Sequence, residues 1–78
     1  MGVAVRLRED YTAVHLRGLA KQSQDAGQTR RLLALAAIYE GGSRVAAAKI
    51  GGVGLQTIRD WVLAFNAQGA EEIGRAHV

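Results

Sequence analysis

Gln56, Thr57, Arg59 and Asp60 follow a run of glycines, and their side chains offer one particular kind of hydrogen-bonding chemistry. An amide such as Gln56 sets a donor beside an acceptor, which matches the edge of an adenine. An arginine fork such as Arg59 matches the two acceptors of a guanine. Asp60 has the acceptor for a cytosine amino group, although orienting Arg59 or facing water is the favoured role for it. Leu55, directly after the glycines, either touches a thymine methyl or completes a core. Thr57 stands beside apolar positions, so its hydroxyl either reaches a phosphate or bonds back to its own helix.

A second group of candidates precedes the glycines. Ser43 and Arg44 open a short helical stretch whose first amides, with the arginine, suit a phosphate, though capping alone explains Ser43. Lys49 is a candidate phosphate contact and equally a surface lysine. Arg30 and Arg31 put positive charge early in a helix, against its macrodipole; a phosphate contact accounts for them, as does chance. Arg6 and Arg8 lie on an N-terminal arm that either enters a minor groove or is a solvated terminus. His15 reads as a surface histidine.

Other chemistries are poorly served. The chain lacks cysteine, and His15 and His77 are far apart without ligand-spaced acids, so neither a metal site nor a cofactor is expected. The carboxylates Glu9, Asp10, Asp25, Glu40, Asp60, Glu71 and Glu72 show no paired spacing, and no nucleophile stands near a base. The expectation is a protein that is not an enzyme and has no small-molecule substrate. No apolar run approaches the roughly 18–20 residues of a membrane span. Arg6, Arg8, Glu9 and Asp10 interrupt any signal-like stretch, so the expected compartment is the cytoplasm. The net charge of +3 and the pI near 10.0 are compatible with nucleic acid without requiring it.

These side chains need elements to hold them. At 78 residues the chain makes one small domain, and its many Ala, Leu, Arg and Gln residues without proline favour helices. Residues 1–11 read as an arm with Val3 and Val5 as its ordering points, residues 12–69 as the domain, and 70–78 as a tail. Thr12 caps a first helix over 13–23, with Ala13, Leu16, Leu19 and Ala20 on one side. Residues 24–27 read as a connection. The spacing of Leu32, Leu35, Ala36 and Tyr39 predicts a second helix over 28–40, stopped by Gly41-Gly42. A third follows Ser43 over 44–50, with Ala46, Ala47 and Ile50 sharing a face. The fourth runs over 55–67, with Ile58, Trp61, Val62 and Phe65 buried.

The order within 43–65 is that of a helix-turn-helix. Ala46 and Ala47 permit a close helix crossing, Gly51 or Gly52 supplies a left-handed turn, and Val53 plugs the crossing. The last helix keeps Gln56, Arg59 and Asp60 outside. The rival from another class is a helical protein-interaction module, a small homodimer using the Val45–Phe65 surface.

Three stretches carry a family resemblance: Arg30-Arg-Leu-Leu-Ala-Leu-Ala-Ala-Ile-Tyr-Glu-Gly-Gly-Ser43, Ala46-Ala-Ala-Lys-Ile-Gly-Gly52 and Gln56-Thr-Ile-Arg-Asp-Trp-Val62. Together with Phe65-Asn66-Ala67-Gln68-Gly69 they resemble the N-terminus of mariner-related bacterial insertion-sequence transposases. The resemblance spans about residues 12–70. It implies an all-α fold, a homeodomain-like or winged helix-turn-helix core of three helices with an additional N-terminal helix. It also implies double-stranded DNA at a transposon end as the partner. The chain departs from that pattern after Gly69, with Glu71-Glu72-Ile73 in place of a second glycine and a leucine. It ends before a catalytic domain begins, so DNA cutting is not implied for this segment. Glu72-Ile-Gly-Arg-Ala-His-Val78 matches what a common sequencing-adapter oligonucleotide encodes in one frame, and this tail is expected to stand outside the fold.

Overall fold

The computed structural model of the chain describes residues 6–69 and contains four α-helices: α1 (Ala13–Gln22), α2 (Ala26–Tyr39), α3 (Arg44–Gly51) and α4 (Leu55–Gln68). No strand occurs among the described residues, and the expected all-α class with an extra leading helix is what is found.

Side-chain caps set where the first three helices begin. The Thr12 hydroxyl accepts the amide of His15 at 3.1 Å, and the Ser43 hydroxyl accepts that of Ala46 at 3.0 Å. α2 starts ahead of the expected residue 28, inside what read as a connection. The Asp25 carboxylate accepts from Gly27 at 2.8 Å and Gln28 at 3.3 Å, satisfying two amides that a helix start leaves orphaned. Gly27, a poor helix former, disguised that start. α4 opens at Gly54 without any side-chain cap.

α2 is the central element, packed against α1 on one side and α3 on the other, while α3 crosses α4. Phe65, Leu16, Leu35, Ile58 and Val62 are fully buried. Ala34, Ala36 and Ala47 are buried too, and their small side chains let the helices approach. The Phe65 ring meets Tyr39 edge-on at 6.1 Å and Tyr11 at a tilt at 5.1 Å, which ties α4 to α2 and to the segment before α1.

Two core expectations need correction. In α3 the buried positions are Ala47, Ala48 and Gly51, whereas Ala46 is exposed and Ile50 is 42% exposed. Both sets fit one helical face; packing against α2 and α4 selects between them. Trp61 is half-buried rather than fully enclosed, lying against Gly51 at the α3–α4 crossing.

Residues 6–11 are bound to the domain and are not a free arm. Asn66 accepts the Arg8 amide through Oδ1 at 2.8 Å and donates through Nδ2 to the Arg6 carbonyl, also at 2.8 Å. The Tyr39 hydroxyl donates to the Arg8 carbonyl. The Arg8 guanidinium pairs with Asp10 at 2.7 Å and reaches the Phe65 carbonyl near the end of α4 at 3.3 Å. Arg8 is thereby committed within the fold, and fits neither the minor-groove arm nor the solvated terminus weighed for it. The expectations placed on Val3, Val5, His77 and the tail from Glu72 to Val78 lie outside the described residues.

Candidate nucleic-acid interface

The turn between α3 and α4 aims the site. Gly52 takes the left-handed conformation, with φ of 69°, and the Val53 amide returns to the Ala48 carbonyl at 3.0 Å. Val53 packs on the core as the expected plug. The chain then enters α4 with Ile58, Val62 and Phe65 inward, which turns the opposite face to solvent.

That outward face carries Leu55, Gln56, Arg59 and Asp60, all exposed. Leu55 is 53% exposed, so it does not complete the core. Arg59 forms no hydrogen bond or ion pair with any described residue. Asp60 does not orient Arg59; it accepts from the Gln56 amide at 3.4 Å, one turn away. Thr57 is half-buried on the flank, and its hydroxyl makes no bond back to the helix. The first two turns of α4 therefore present an amide, a carboxylate and an unengaged guanidinium side by side.

The other candidates divide into three settings. On α3, Lys49 is exposed and without a partner among the described residues, while the Ser43 hydroxyl is occupied as a cap. Arg44, half-buried, lines an open groove of about 480 Å³ with Arg6, Arg8, Tyr11 and Tyr39. On α2, Arg30 is exposed and unpaired among the described residues. Arg31, by contrast, is half-buried with its guanidinium carbon 5.4 Å from the centre of the Trp61 ring. Desolvation pulls the Arg31 pKa below the ordinary arginine value. Thirty residues separate these partners, so no local spacing could have announced the pair.

Two other charges, Arg17 and Glu40, are used structurally. Arg17 and Glu40 form a two-pronged pair between α1 and the end of α2, and Arg17 holds the Glu40 carboxyl below its usual range. His15 is exposed and stacks on Tyr11 at 5.0 Å. Among the described residues no group of three or more His, Cys, Asp or Glu could hold a metal ion. No helix among them is long and apolar enough to cross a membrane.

A family model described as winged helix-turn helix matches residues 31–77, more than half of the chain. The uncharacterized protein y4pG/y4sC of Sinorhizobium fredii (strain NBRC 101917 / NGR234) is 62% identical over 71 residues. The match takes in 91% of this chain but only 37% of that protein, so the chain spans little more than a third of its relative. No solved structure matches.

Proposed function

The chain belongs to the winged helix-turn-helix family, and on that premise we propose that it binds double-stranded DNA sequence-specifically, as the end-recognition segment of a transposase. The observation that carries this reading is the outward face of α4, where Gln56 and an Arg59 without a partner among the described residues stand exposed directly after the Gly52 turn. Side chains at that place in a helix-turn-helix reach base edges in the major groove, while the preceding helix meets the backbone. Leu55, Gln56, Arg59 and Asp60 then supply readout. Thr57, Ser43, Arg44, Lys49 and Arg30 flank them as backbone contacts. The transposase assignment is supported by the family-like stretches, which fall on α2, α3 and α4, and by a relative much longer than this chain. In this reading the segment binds without cleaving, in the bacterial cytoplasm where duplex DNA is available.

Selection of sites from a random duplex pool tests the proposal. A recovered consensus supports it, and a pool that returns none defeats it. The dimer reading has its own observation, since Val45 is 53% and Ile50 42% exposed on α3 and Leu55 is 53% exposed at the start of α4. Phe65, however, is fully buried and cannot belong to such a surface. Sedimentation of the free protein separates the readings: a stable dimer without DNA affinity favours the second.

A further inference from the structure

Arg31 carries a charge that no described residue around it answers. Its Nε is buried with no hydrogen-bond partner, and its side chain makes no ion pair among the described residues. Leaving a partly desolvated cation without a counter-charge is costly, and stacking on an indole recovers only part of that cost. Arginine keeps its charge even where burial lowers its pKa, so neutralisation gives no escape at ordinary pH.

The indole beneath it is also held by α3. Gly51, the last residue of α3, approaches the Trp61 ring so closely that a Cβ there would sit 2.7 Å from Cζ3. Trp61 thus touches both the end of α3 and the guanidinium from α2. Thr57 lies one turn before Trp61 on the same flank of α4, next to the face that presents Gln56 and Arg59.

We propose that Trp61 is a positioning residue for DNA binding: it holds the Arg31 guanidinium on the flank of α4 as a fork for one backbone phosphate of the duplex. This rests on the DNA-binding reading above and adds to it a residue that need touch no DNA itself. The phosphate supplies the counter-charge that the described residues do not provide. Stacking confines the long arginine side chain before DNA arrives, so less freedom is lost on contact.

The test uses the full chain and the duplex found by site selection, titrated at several salt concentrations, with a thermal melt of each variant. Arg31→Gln is expected to flatten the salt slope by about one unit and weaken binding roughly fivefold to tenfold at 0.1 M salt. Trp61→Leu should match it within about twofold, Trp61→Phe should restore most of the affinity, and adding Trp61→Leu to Arg31→Gln should cost nothing further. Trp61 is the single tryptophan, so its fluorescence reports on the pair even if Trp61→Leu does not fold. Duplex should change that emission in the wild type and leave it unchanged in Arg31→Gln. An unaltered salt slope in Arg31→Gln, equal losses from Trp61→Leu with and without Arg31, or a silent wild-type emission each overturn the inference. A wild-type chain that selects no consensus defeats the DNA-binding reading itself, whereas a clear consensus with an unaltered Arg31→Gln slope removes only the role of this pair.

Discussion

Gly51 and Trp61 occupy one contact: a Cβ added to Gly51 would lie 2.7 Å from Cζ3 and 3.1 Å from Cη2 of the indole. No real side chain tolerates the first distance, so the ring or the helix crossing must shift. Gly51→Ala gains up to ~1 kcal/mol of helix propensity but incurs overpacking of about 1–3 kcal/mol. Net destabilisation is expected in urea melts. The same substitution in a Trp61→Ala background should be neutral or stabilising, because the obstruction has gone.

Phe65, rather than Trp61, is the principal aromatic of the core, since it is fully buried and contacts both Tyr11 and Tyr39. Phe65→Ala should cost about 3–5 kcal/mol, enough to unfold a domain of this size. Trp61→Ala should cost less, because part of the indole is already in water. Chemical denaturation of the two variants gives the ranking, and a larger loss at Trp61 would contradict this packing.

Asn66 bonds the backbone on both sides of Leu7, from the Arg6 carbonyl to the Arg8 amide. Asn66→Ala removes both bonds and should destabilise by about 1–2 kcal/mol. Hydrogen exchange offers the local readout, with the Arg8 amide expected to lose protection well before amides in α2 do.

Two carboxyls link stability to acid. Arg17 draws the Glu40 pKa below its ordinary 4.5, and Arg8 draws that of Asp10 below 3.8, in each case chiefly through the side-chain hydrogen bond. A depressed folded-state pKa stabilises above the unfolded value and loses that contribution as pH falls through the folded one. Melting temperature should therefore be flat near neutrality and decline below about pH 4.5. Both pairs are solvent-exposed, so high salt should shrink the effect. Carboxyl NMR titrations identify the groups, and a Glu40 midpoint at or above its ordinary value would refute the pairing.

Arg59 and Arg44 should fail in different ways. Arg59→Ala is expected to cost roughly 1–3 kcal/mol on the selected site and to relax base preference there. Arg44→Ala or Lys49→Ala should weaken all sequences alike and flatten the salt slope by about one unit each. Loss of discrimination from Arg44→Ala but not from Arg59→Ala would reverse the roles given to α3 and α4.

Much of the fold was legible because its signals are local. Leu16 and Ala20, Leu32 and Leu35, and Ile58, Val62 and Phe65 recur at helical spacing, and each set is buried. Thr12 and Ser43 cap the helices they precede, and Gly52 adopts the left-handed turn that a helix-turn-helix requires. The exposed position of Gln56 and Arg59 follows from the same periodicity, since fixing Ile58 and Val62 inward turns them out.

Relationships between distant segments were decided only by the tertiary structure. Which face of α3 is buried depends on how it packs against α2 and α4, because Ala46-Ala-Ala48 offers three equivalent small residues and composition does not choose among them. Arg8 became a latch rather than an arm because Asn66, Tyr39 and Phe65 converge on it from 31 to 58 residues away. Arg31 met Trp61 because the fold brings the first half of α2 against the flank of α4. Periodicity along a chain shows which residues share a helix face, but what that face meets is set by how the helices cross.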